Sequence, residues 1–230
     1  MSRPTAAILG ALGIGAYLLT VRPHLLHWGA SEQEKRRPDP GAELLPESRR
    51  ASTMAVTIEA SPAGVWPWLV QMGCERAGWY SWDRLDNGGT PSADRIHPEW
   101  QEISVGDRLL STPSGRAWFI VAALDPGRKL VLRAPLDLAG RPFDLDGPPP
   151  RFYSDSTWSF VLDELPDRRT RLITTARARS HPRLLFELGN VLFWDAAHWI
   201  MQTRQLANIK RRAEAVADGA VPDPDGSPAA

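Results

Sequence analysis

Residues 171–216 read RLITTARARSHPRLLFELGNVLFWDAAHWIMQTRQLANIKRRAEAV, and within this stretch a two-residue alternation gives way to a helical one. From Arg171 to Arg179, Leu172, Thr174, Ala176 and Ala178 share one face of a strand, and Arg171, Ile173, Thr175, Arg177 and Arg179 the other. The first set is smaller and uncharged, which makes it the face to be covered. After Pro182, Leu185, Leu188, Leu192, Ala196, Trp199 and Leu206 recur at helical spacing toward Val216. A strand with one apolar face, followed by a long helix with one apolar stripe, predicts that the helix lies on the sheet.

Upstream, strand signals fall at Thr157–Leu162, Lys129–Arg133, Ala117–Leu124 and Thr53–Glu59, with turn markers at Asp125-Pro126-Gly127 and Pro166-Asp167. Ser61-Pro62 offers an N-cap and a first-turn proline for a helix through Val65, Trp66, Leu69 and Met72, with Pro67 set to kink it. A second short helix is predicted across Trp79 to Asn87. Strand, two helices, a run of antiparallel strands and one long helix make an α+β layout in a single domain, residues 51–217. Residues 25–50 are charged and carry Pro38, Pro40 and Pro46, which reads as an extended linker. Residues 218–230 read as a disordered tail.

Composition sets outer bounds. The 230 residues are 43% hydrophobic and 23% charged, a balance that permits a buried core. Lysine plus arginine and aspartate plus glutamate each total 27, so there is no basic excess for nucleic acid. Cys74 is the only cysteine, which excludes an internal disulfide and any cysteine-rich metal site. His24 and His27 have no third ligand close in sequence, so no metal or cofactor is expected.

Residues 1–24 pose a membrane question. Thr5 to Val21, TAAILGALGIGAYLLTV, is seventeen residues without a charge. As a helix it reaches about 25 Å, near the lower limit for a bilayer core. Tyr17, His24, His27 and Trp28 suit the interface beyond it. An uncleaved anchor is the expectation, with a cleaved signal peptide and a buried soluble helix as rivals; His27-Trp28-Gly29-Ala30 is a poor cleavage site. The cluster Lys35-Arg36-Arg37 favours a cell-membrane protein, single-pass, with its main domain on the cytoplasmic side.

Several strings resemble the START/polyketide-cyclase superfamily (SRPBCC), in its actinobacterial form with an N-terminal anchor. They are Arg22-Pro23 with Trp28-Gly29-Ala30, Val65-Trp66-Pro67-Trp68-Leu69-Val70-Gln71-Met72-Gly73, Gly78-Trp79-Tyr80-Ser81-Trp82-Asp83, Ser92-Ala93-Asp94-Arg95-Ile96 and Ile209-Lys210-Arg211-Arg212-Ala213-Glu214. The resemblance implies a helix-grip fold, in which a curved antiparallel sheet wraps a long C-terminal helix around a deep cavity. In that superfamily the cavity holds sterols, lipids, polyketides or hormones. Fold alone does not fix function.

Small side chains on the sheet opposite bulky ones suit an apolar pocket, and they suit a fully packed core equally well. The cavity-lining candidates are Tyr80, Asp83, Trp118, Trp158, Phe160, Thr174, Ala176, Leu192, His198 and Trp199. Tyr80, Asp83 and Asn87 would share one helical face, and Asp195 and His198 lie one turn apart on the long helix. Carboxylate beside imidazole is an arrangement a general base uses, and also how a half-buried histidine is satisfied. No nucleotide-binding glycine loop or nucleophile elbow is present. The segment Ala134–Ser156, with five prolines and Phe143, Phe152 and Tyr153, is long enough to act as a flap or to be an inert insertion. The expected function is membrane-tethered binding of an apolar small molecule or lipid. The alternatives are a cyclase/dehydrase-type enzyme on a hydrophobic carbonyl substrate, and a structural module whose interior is filled by side chains.

Overall fold

The structure, a computed structural model, describes residues 15–219. The anchor expected at residues 5–21 and the tail expected at 218–230 therefore fall mostly outside the described residues. No helix among those described is long and apolar enough to cross a membrane.

Six strands form one antiparallel sheet: β1 Arg49–Ile58, β2 Arg108–Leu110, β3 Trp118–Asp125, β4 Lys129–Asp137, β5 Tyr153–Leu165 and β6 Arg169–His181, in the order β1-β6-β5-β4-β3-β2. The helices are α1 Arg22–Leu26, α2 Glu32–Arg36, α3 Gly41–Leu44, α4 Pro62–Val70, α5 Asp83–Asp86, α6 Arg183–Gly189 and α7 Asp195–Ala217. π-helical turns at Tyr17–Val21 and Asn190–Trp194 lead into α1 and α7. An open antiparallel sheet with a long C-terminal helix packed on it fits the helix-grip architecture.

Register confirms the alternation of the last strand. Trp158 of β5 pairs with Ala176 of β6, which pairs with Ser52 of β1; Leu132 of β4 lies on the far side of Trp158. The next row inward is Leu130, Phe160, Thr174 and Met54, all buried beneath α4 and α7. Here β1, α4, α7 and the connection from Gln71 to Ile103 close one apolar core around Trp68, Leu69, Met72, Leu206 and Ile209.

Two elements differ from expectation. The predicted helix across Trp79–Asn87 shrinks to α5, because Gly78 and Tyr80 both take positive φ (76° and 58°) and turn the chain before it can coil. Tyr80 therefore shares no helical face with Asp83 and Asn87. The predicted long helix runs unbroken from Arg183 to Ala217 with a π-turn at Asn190–Trp194, but its first part exposes the apolar stripe. Leu185, Leu188 and Leu192 are exposed rather than core-facing, Leu192 by 81%.

The expected linker is packed structure. Ser31 caps α2 through a capping box with Glu34, and Leu45 is buried. The segment lies across the outer face of the sheet, where a Cβ added at Gly41 would meet Thr157 Oγ1 at 2.4 Å. Three arginines hold it there. Arg171 grips both Glu34 oxygens at 2.7 and 3.0 Å, while Arg177 and Arg50 share Asp39 Oδ2 at 2.9 Å each. Proline and charge disguised a strap whose acids are partners for strand arginines.

The Arg171 guanidinium holds the Glu34 carboxyl down to about 2. The unfolded chain takes up this proton near 4.5, so the pair stabilises the fold fully above that pH, and the contribution fades as pH falls toward 2. Glu34→Gln is expected to remove on the order of 2 kcal/mol at pH 7 and progressively less below pH 4, measured by urea denaturation across pH.

Candidate functional site

The aromatic side chains facing inward from β3 and β5 meet the loop before α5. Trp158 stacks on Trp79 with centroids 5.8 Å apart, and lies 4.7 Å from Phe160 and 5.7 Å from Phe119. Phe119 also sets its edge on Trp79 at 5.2 Å. Trp118, expected in this wall, is not part of it: alternation along β3 turns Phe119 inward, and the Arg108 guanidinium sits 4.6 Å over the Trp118 ring.

α7 braces this wall with buried amides. Trp158 Nε1 donates to Gln202 Oε1 at 2.9 Å, Gln202 Nε2 to Gln205 Oε1 at 2.8 Å, and Gln205 Nε2 to the Trp79 carbonyl at 2.9 Å. One turn further, Asn208 Nδ2 donates to the Tyr80 carbonyl at 2.8 Å, which helps hold that residue in its left-handed conformation. The Tyr80 hydroxyl accepts from Gln71 at 2.7 Å, and burial pushes its pKa up. Gln71, Gln202, Gln205 and Asn208 were not read as site residues. Their one signal was three amides spaced three apart on a helix otherwise judged by its apolar positions.

Phe160, Thr174 and Tyr80 are thus buried among side chains, and the Thr174 hydroxyl donates to the Met54 carbonyl at 3.3 Å. Asp83 lies apart, its Oδ1 accepting from the Ser92 hydroxyl at 2.6 Å and backbone N–H at 3.1 Å. Trp79, Trp158, Phe160, Gln202 and Gln205 pack together between the sheet and α7. Two clefts found in the described residues lie elsewhere. One, about 480 Å³, is bordered by Asp137, Arg141 and Phe152 of the proline-rich loop; the other, about 270 Å³, lies between the strap and the outer sheet face. The loop's Phe143 packs on Tyr153 at 5.6 Å, and Tyr153 in turn on His181.

Toward the other end of the strands the inner face opens. Beyond Trp158 and Ala176 the paired rows are Ala134, Ser156 and Ala178, then Leu136, Ser154 and Ser180, mostly half-exposed. Trp199 of α7 packs against the hydrophobic core, and its indole N–H is buried without a partner.

Asp195 and His198 do not pair. Asp195 accepts from Arg22 Nε at 2.6 Å, and His198 Nε2 lies 2.9 Å from the Ser52 hydroxyl. The helix offered both side chains at one-turn spacing, but α1 arrived with a competing guanidinium. Burial lowers His198 to about 4, so the ring is neutral at pH 7. Ser52 lies within strand β1, and no carboxylate orients the imidazole. Elsewhere the Cys74 thiol is pushed up to about 11 by burial, and Asp86, buried with no partner on either carboxyl oxygen and close to Asp83, is raised to about 6. Among the described residues no three His, Cys, Asp or Glu side chains converge on a metal position.

No family model matches the chain, and no curated protein matches it. Solved structures resemble it distantly. Protein MLL2253 from Mesorhizobium loti is 18% identical with a TM-score of 0.36, over 74% of this chain and 99% of that one. A Nitrosospira multiformis protein is 14% identical with a TM-score of 0.42, over 72% and 97%. CalU16 from Micromonospora echinospora is 16% identical with a TM-score of 0.33, over 76% and 90%. Likeness at this distance says nothing about chemistry.

Two titrations report on the site with opposite sign. The folded chain binds the His198 proton only near 4 and the unfolded chain near 6.5, so stability falls as pH drops through that interval; His198→Gln is expected to flatten the slope there in chemical denaturation. Asp86 is raised, so its charge opposes folding once pH exceeds about 4 and fully above about 6; Asp86→Asn is expected to raise Tm at pH 7.5 and leave it nearly unchanged at pH 4.

Proposed function

We propose that the chain is a membrane-tethered binding module that takes an apolar small molecule or lipid chain at the open end of its inner sheet face. This reading sets the site at the open end rather than in the deep space beneath α7 where the family resemblance puts a cavity, because Trp79, Trp158, Phe160, Gln202 and Gln205 pack together there. The observation that carries it is the half-exposed floor of Ala176, Ala178, Ser156 and Ser180 beside the Trp158 ring. Each square ångström of apolar guest covered there is worth about 25 cal/mol. The uncharged run of residues 5–21 supplies the tether, which shortens the path of a lipid from bilayer to site. Asp195 and His198 have separate partners, so they are not the proton-transfer pair considered for the cyclase/dehydrase alternative.

Native mass spectrometry of the full chain in mild detergent is expected to show a co-purifying lipid, or uptake of added fatty-acyl or polycyclic probes. Ala178→Trp, which fills the floor at a half-exposed position, is expected to reduce occupancy at least tenfold while leaving Tm within about 2 °C. Failure of all chemically varied apolar probes to bind the unaltered chain overturns the reading.

A further inference from the structure

Of the sixteen large apolar side chains exposed among the described residues, nine fall within residues 18–21 and 184–194. Scattered singly such groups are ordinary; gathered on one surface they mark a contact. The two segments are neighbours in space. The Tyr17 hydroxyl donates to the Val191 carbonyl at 3.3 Å, and the Arg22–Asp195 ion pair fixes the adjoining turn. Leu184, Leu188 and Leu192 follow at four-residue intervals, 79%, 61% and 81% exposed, with Phe193 beside them at 70% and Leu19 across from them at 80%. The one charge in residues 184–194, Glu187, lies 3.6 Å from Arg183.

We infer that the surface of residues 184–194 lies in the hydrocarbon–headgroup boundary of a lipid bilayer, a second membrane contact beside the end of the tether, whose Leu18, Leu19 and Val21 adjoin it. The uncharged run of residues 5–21 reaches this surface at Tyr17, whose hydroxyl bonds the Val191 carbonyl. The surface thus starts where the apolar run meets the domain. Tyr17 and Trp194, the latter 55% exposed, add aromatic rings with polar tips, the side chains that favour this boundary. A helix laid in the interface with its apolar stripe down binds in proportion to the area it buries. α6 leads directly from β6, so the contact would turn the half-exposed end of the inner sheet face toward the membrane.

The inference rests on the tethered reading for its bilayer, and its test separates the two. The full chain is reconstituted in phosphatidylcholine–phosphatidylglycerol vesicles as Leu188→Cys, Phe193→Cys or, as a control on the distant loop, Leu138→Cys. Cys74 is replaced by Ser in all three variants so that the introduced thiol alone is labelled. Labelling by a membrane-impermeant maleimide is expected to be at least tenfold slower at 188 and 193 than at 138. A fluorophore at 193 is expected to be quenched by brominated acyl chains. Vesicle flotation with equal labelling rates overturns the surface contact while the tether stands; failure to float overturns both. Slow labelling without bromine quenching, the signature of a second copy or of the chain's own first residues covering the surface, overturns it as well.

Discussion

Arginines on the outer face of β6 set the terms for the rest of the molecule. Arg171 and Arg177 leave the strand on the side away from α7, amid Thr53, Asp155, Thr157, Ser159 and Thr175, all buried. Such a face is stable under cover only if its cations are matched, since a buried unpaired charge costs several kcal/mol. Glu34 and Asp39 supply the match, and backbone carbonyls of Gly29 and Ser48 take further guanidinium protons. The sheet is thereby closed on both sides by different chemistry, an apolar helix on one and a polar strap on the other. The chain entering from residues 15–30 is fixed relative to the sheet rather than hung from it.

The strands were legible because one face of each has to be dry, and alternation records that demand directly; Leu172, Thr174 and Ala176 point where their size and neutrality require. Short β2 escaped notice because Arg108–Leu110 is too brief to show a period. The strap escaped because prolines and charges signal loop irrespective of what the charges face. Asp39 and Glu34 look solvated until Arg177 and Arg171, over a hundred residues later, are placed beside them.

The long helix shows a different limit. Periodicity reveals a stripe but not its cover, so Leu185, Leu188 and Leu192 read as core beside Leu206, which is core. The π-turn between them shifts the phase of one continuous helix, so the apolar positions before it are exposed while Leu206 after it is buried. Candidate-site residues divided along the same line. Trp158, Phe160 and Thr174 fell on the inner face as expected, Leu192 did not, and Asp195 and His198 each found a partner from another element that no local spacing announces.

The chain of amides from Trp158 through Gln202 and Gln205 to the backbone of Trp79 makes the seat of α7 discrete. Sliding the helix by one turn, 5.4 Å, would strand several buried amide groups at once, whereas a purely greasy interface would tolerate a continuum of offsets. Side-chain polarity here acts as a detent, giving the helix one stop along the sheet.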